Sequence, residues 1–84
     1  MIVSGLVQAV GFRYSLASRA ESLDVAGWVR NRPDGTVEAV LEGPGDAVES
    51  LVGWCRHGPR GARVDGMEIH DEKPVGISGF RIAV

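Results

Sequence analysis

Cysteine is almost absent from the chain. The single Cys55 cannot form an internal disulfide, and no CxxC pair or Cys/His cluster offers ligands to zinc. Packing alone must therefore hold the fold, which fits a reducing cytoplasm. Long apolar runs are missing too. None approaches the roughly 20 residues of a membrane span, and no basic segment precedes an apolar one as in a secretory signal. Nor is there a basic excess: the net charge of −2 speaks against a general nucleic-acid binder, which carries surplus Lys and Arg.

What is present is ordinary globular material. Apolar residues make up 44% and charged residues 24%, the proportions of a folded domain rather than a disordered chain. A chain of 84 residues buries only about 60–65% of the surface it exposes when unfolded. That supports one small core, so residues 1–84 are expected to form one domain. Charge is unevenly spread. Residues 1–32 carry four arginines against two acids, net +2, and the remainder carries five bases against nine acids, net −4. The N-terminal third is the electropositive part and suits a small anion.

Hydrophobic periodicity orders the elements. Residues 2–7 form a short β-branched and apolar run, read as a strand, and residues 8–11 lead out of it into a loop. From Phe12, apolar or small residues recur at Leu16, Ala20 and Leu23, one face of a helix. Residues 26–32 and 36–43 read as two strands around Pro33-Asp34-Gly35, a hairpin signal. In the second of these, Val37, Ala39 and Leu41 alternate with Glu38 and Glu42, which are expected on a wetter face. A second helix carries the stripe Val48, Leu51, Val52 and Cys55, with Asp46 and Glu49 placed for a capping box and Gly58-Pro59 as its stop. Residues 62–70 read as a strand whose apolar phase slips, which a bulge near Gly66 would absorb. Phe80, Ile82 and Val84 alternate as a final short strand. The order β-α-β-β-α-β plus a short C-terminal strand predicts an α+β ferredoxin-like sandwich, two helices on one face of a mainly antiparallel sheet.

The segment Gly5-Leu6-Val7-Gln8-Ala9-Val10-Gly11-Phe12-Arg13 runs strand, loop, helix start. A loop entering a helix presents unpaired N–H groups and the positive end of the helix dipole, which suit a phosphate oxyanion. Arg13 sits at that mouth, and its planar fork can hold two phosphate oxygens at once. An arginine in a first helical turn is more often a surface charge, so both readings stand. Asn31 ends the strand before the hairpin. Its amide can bond local backbone, or it can orient a water, but it does not titrate near neutral pH and cannot be a general base. Trp28 and Trp54 are expected to pack, wholly or half buried, rather than to serve as nucleic-acid platforms. Cys55 and Met67 fall in apolar patterns and read as core. His57 and His70 are too isolated to form a metal site.

Several motifs together resemble the acylphosphatase family. They are Gly5-x-Val7-Gln8-x-Val10-Gly11-Phe12-Arg13, then Gly27-Trp28-Val29-Arg30-Asn31, then Asp34-Gly35-x-Val37-Glu38. Gly43-Pro44, Gly58-Pro59-x-x-Ala62-x-Val64 and Gly79-Phe80-x-Ile82 follow in order, so that the resemblance covers almost the whole chain. It implies that the loop of Gln8, Ala9, Val10, Gly11, Phe12 and Arg13 binds phosphate, with Arg13 as the cation on it. It implies that Asn31 orients the nucleophilic water, and that carboxyl-phosphate anhydrides are cleaved without metal, cofactor or covalent intermediate. The expected partners are a small-molecule acyl phosphate and inorganic phosphate as product and competitor, with no nucleic acid and no membrane. A cytoplasmic monomer is expected. In the family the terminal carboxylate can pair with the arginine matching Arg13.

One position departs from the pattern: the family usually has glycine where this chain has Ala9. If that residue needs positive φ, the methyl group costs roughly 1–2 kcal/mol. Two rival readings follow. One is a non-catalytic anion-binding or regulatory module in which Ala9 has spoiled catalysis and left the phosphate cradle. The other is a module of a larger carbamoyl-phosphate-handling maturation protein, in which zinc-type cysteine pairs follow such a domain; this sequence carries none. An RNA-recognition module would need an aromatic-rich strand, and residues 36–43 contain no aromatic.

Overall fold

The computed structural model describes residues 1–83. Val84, expected to complete the last strand and to carry a carboxylate toward Arg13, lies outside the described residues. The elements run β1 (Ile2–Leu6), α1 (Phe12–Ser22), β2 (Ala26–Asn31), β3 (Val37–Glu42), α2 (Gly45–Cys55), β4 (Arg63–Glu68) and β5 (Phe80–Ile82). The strands lie in the order β4-β1-β3-β2-β5. All neighbours are antiparallel except β5, which runs parallel to β2. The expected ferredoxin-like sandwich is therefore the observed fold.

The core follows from the alternation. Val3 of β1, Val29 of β2 and Val37 and Ala39 of β3 point to one face and are buried, as are Phe12, Leu16 and Ala20 of α1 and Leu51 and Cys55 of α2. Val48, Leu23 and Met67 pack half-buried against this cluster. Pairing with β3 continues one residue before β1: the N-terminal amine of Met1 donates to the Ala39 carbonyl at 3.0 Å and Ala39 N–H donates back to Met1 O at 2.9 Å.

Two glycines let backbones approach where a side chain could not fit. Gly5 has φ +122°, and a Cβ there would run into the Arg63 carbonyl; Gly27, φ +144°, faces the Val40 carbonyl in the same way. At Gly5 the β1–β4 register also shifts, with Ser4 opposite Gly66 and Gly5 opposite Val64. Asp65 is thus the extra residue of a bulge beside Gly66, which absorbs the slip in apolar phase.

Two local expectations do not hold. The capping box at Asp46 and Glu49 is absent: the N-cap lies two residues earlier, at Pro44, and makes no side-chain cap bond. Asp46 instead accepts from the adjacent Ala47 N–H at 2.9 Å and adds negative charge to the first turn, where the dipole favours it. Glu42 is not a simple solvated side chain either. Its Oε1 accepts from the Val75 and Gly76 N–H groups, both at 3.1 Å, and ties the stretch before β5 to β3.

Candidate active site

The strand directions determine where the candidate residues meet. β1 and β2 are each antiparallel to β3, and β5 is parallel to β2. The C-terminal ends of β1, β2 and β5 therefore share one edge of the sheet. At that edge lie the loop leaving β1, Asn31 as the last residue of β2, and Ile82 as the last residue of β5.

The loop is curled by alternating backbone handedness. Ala9 has φ +59° and Gly11 φ +77°, while Val10 between them is not left-handed. Such alternation turns successive N–H groups toward one concavity, an anion-binding nest. The first helical bond of α1 runs from Ser15 N–H to Gly11 O at 2.9 Å, so the N–H groups of Phe12, Arg13 and Tyr14 precede any intrahelical acceptor. The N–H groups of residues 8–11 likewise donate to no acceptor among the described residues. Seven successive amides, residues 8–14, thus have no partner among the described residues.

Arg13 is half-buried at the start of α1 and makes no ion pair or hydrogen bond with any described residue. It lines a cleft of about 160 Å³ together with Ala9, Gly11 and Phe12. Phe12 is buried behind them, its ring 5.4 Å from that of Trp54, which fixes the first turn of the helix against α2. Trp54 is covered from outside by the Arg19 guanidinium at 4.9 Å, and Trp28 by Arg30 at 5.3 Å. Both tryptophans are half-buried, as expected of packing residues.

Gln8 and Asn31 do not line that cleft, but a hydrogen bond joins their segments. The Gln8 side-chain amide donates to Arg32 O at 2.8 Å and Thr36 O at 3.0 Å, and Arg32 follows Asn31 directly. The hairpin itself is stiffened by Asp34, whose Oδ1 accepts from Thr36 N–H at 3.0 Å and from Thr36 Oγ1 at 2.6 Å. Those two bonds hold the Asp34 carboxyl below its ordinary pKa. Asn31 has the same parity along β2 as buried Gly27 and Val29, so its side chain leaves the sheet on the helix-bearing face. Its Oδ1 is buried and has no hydrogen-bond partner among the described residues. The side-chain role of Gln8 escaped the sequence reading, since no local pattern marks a bond spanning 24 positions.

The acylphosphatase family model matches residues 1–82. The chain belongs to the acylphosphatase family. It is 52% identical to the acylphosphatase of Thermococcus kodakarensis, over 95% of this chain and 88% of that one. Its fold superposes on the crystal structure of acylphosphatase from Bacillus subtilis with a TM-score of 0.94 at 38% identity, covering 99% of this chain and 93% of that one. A crystal structure of HypF from T. kodakarensis contains a similar unit: TM-score 0.85 and 32% identity over 99% of this chain, but only 11% of that protein.

As an acylphosphatase-family member the chain keeps Gly11 and Arg13 and carries Ala9 in a left-handed conformation. The condition attached to that departure is thereby met: the methyl group sits where L-residues are strained. Ala9 is exposed, so the cost is backbone strain and not a collision. Among the described residues no three His, Cys, Asp or Glu side chains gather as a metal site, and no helix is long and apolar enough to cross a membrane.

Proposed function

We propose that this chain hydrolyses acyl phosphates to a carboxylate and inorganic phosphate, without a metal ion, at the mouth of α1. The observation that carries the reading is the run of amides from residue 8 to residue 14 that donate to none of the described residues, ending beside Arg13, whose guanidinium pairs with none of them either. A tetrahedral dianion has several acceptor oxygens to satisfy, and a main-chain nest plus a bidentate arginine supplies matching donors.

The chemistry asks little more of the protein. The leaving group is a carboxylate, which departs at neutral pH without protonation, so no general acid is needed. Water attacks phosphorus, the P–O bond to the acyl group breaks, and the electron pair leaves on the carboxylate. Positioning and charge stabilisation dominate such a transfer. Arg13 and the loop amides stabilise the charge spreading over the phosphoryl oxygens. Asn31 orients the water: its shielded, unpaired Oδ1 pays a desolvation cost of about 1–3 kcal/mol, which an O–H donor recovers. An amide cannot take the water's proton, so that proton passes to a phosphate oxygen of the substrate. Gln8 contributes its backbone N–H to the cradle, while its side chain holds the hairpin that carries Asn31.

The test is turnover of benzoyl phosphate by purified protein in the presence of a chelator, with inorganic phosphate as competitor. Metal-independent hydrolysis inhibited by phosphate is expected. Phosphate binding without turnover would replace this reading with that of a regulatory anion-binding module, the strained Ala9 being its cause.

A further inference from the structure

Exposed large apolar side chains are few in this molecule, and two of them flank the proposed phosphate loop. Tyr14 is 76% exposed and Ile82 41% exposed. Both line the cleft that Ala9, Gly11 and Arg13 share, with Val7 as its apolar floor. The pairing is produced by the fold. Tyr14 is the third residue of α1, and Ile82 ends β5, whose register places it opposite Val29 of β2. The cleft is thus polar on its loop side and apolar on its outer side. Asn31 is not among its walls, so the water-orienting group and the apolar wall lie apart.

We propose that Tyr14 and Ile82 form the acyl subsite and make the protein selective for acyl phosphates with a bulky apolar acyl group over acetyl phosphate. The proposal rests on the phosphate site described above. A phosphoryl group held by Arg13 and the loop amides leaves the acyl portion of its substrate in this cleft. The cleft's volume of about 160 Å³ is shared between the phosphoryl group and the first atoms of the acyl group. The cleft is not closed at its outer end. A groove between α1 and β5, walled by Tyr14, Ala17, Ser18, Glu21, Phe80 and Ile82, shares Tyr14 and Ile82 with it, so a bulky acyl group has a path past both side chains. An acetyl group has only one methyl to place against these walls.

The contact is made equally before and during the transfer, because the acyl carbon skeleton does not change shape as the P–O bond breaks. Its loss should therefore raise KM for the apolar substrate more than it lowers kcat. The experiment compares kcat/KM for benzoyl and acetyl phosphate in the wild type, Tyr14→Ala, Ile82→Thr and the double variant. Intrinsic differences between the two leaving groups cancel when the ratio is compared across proteins. The benzoyl-to-acetyl ratio should fall about threefold in each single variant and about tenfold in the double variant, within the range seen for partial loss of an apolar pocket. The melting temperature of each variant reports its folding independently of the ratio. An unchanged ratio in Tyr14→Ala, whose exposed position does not contribute to the core, would overturn the subsite while leaving hydrolysis itself in place. A wild type that turns over neither substrate would overturn the hydrolysis reading, and the subsite with it.

Discussion

Nε2 of Gln8 donates a 2.8 Å hydrogen bond to the carbonyl oxygen of Arg32, the residue after Asn31. With its second bond to Thr36 O, this one amide holds the loop leaving β1 against the β2–β3 turn just beyond Asn31. In the proposed mechanism these two segments act on the same phosphorus atom. Gln8→Met keeps the length of the side chain and removes the donor. Both carbonyls keep a second partner, Gly35 N–H and Arg32 N–H respectively, so the stability loss should be about 1 kcal/mol. For a domain of this size that is a drop of about 4–8 °C in Tm. Turnover should fall further, about tenfold, because misplacement of reacting groups is costly. A lower Tm with unchanged kcat would show the tether to be purely structural.

Arg13 and Asn31 should separate kinetically. In the proposed mechanism Arg13 touches the substrate before and during transfer, so Arg13→Ala should raise KM, weaken phosphate competition and cut kcat/KM at least about a hundredfold. Asn31 in that mechanism acts on the water, so Asn31→Ala should lower kcat by a comparable factor with phosphate inhibition nearly unchanged. Steady-state kinetics with a phosphate titration would distinguish the two. Full activity in Asn31→Ala would remove it from the mechanism.

Ala9 at φ +59° makes a prediction of opposite sign. Left-handed backbone costs an L-residue about 1–2 kcal/mol, and glycine returns part of that as unfolded-state entropy. Ala9→Gly should therefore stabilise the protein by roughly 0.5–1 kcal/mol, read as a rise of several degrees in Tm. It should also raise kcat/KM if the strained loop holds its amides off their best geometry. A fall in Tm would mean that the methyl group makes a favourable contact not evident at this exposed position.

Cys55 is fully buried between the helices and the sheet, and burial pushes its thiol pKa from the usual 9.0 up to about 12. The neutral thiol should resist alkylation in the native protein and react once it is unfolded. The folded state holds this proton more tightly than the unfolded chain does. The contribution to stability is therefore intact below about pH 9, declines above it, and is lost by about pH 12. Chemical denaturation of wild type and Cys55→Ala at several alkaline pH values isolates the effect: the variant should show the shallower decline. Parallel slopes would contradict it.

Much of this was legible in the sequence because it is local or periodic. The stripe Phe12, Leu16, Ala20, the alternation Val37, Ala39, and the Pro33-Asp34-Gly35 turn each state their own structure within a few residues. The phase slip before Met67 even marked the bulge. The capping box failed because Pro44 caps α2 two residues earlier than the acidic pair suggests, and Glu42 was misplaced because its partners lie 33 and 34 positions away.

The order of elements, the loop at the head of α1 and the residues that populate it were determined by the amino-acid sequence, since periodicity and motif spacing act over short distances. Only the tertiary structure decided that Gln8 spans to the hairpin, that Ala9 is left-handed, and that Tyr14 and Ile82 stand on either side of one cleft. Those relationships arise when β1, β2 and β5 end at a common sheet edge. Proximity created by strand pairing leaves no trace in the spacing of residues far apart along the chain.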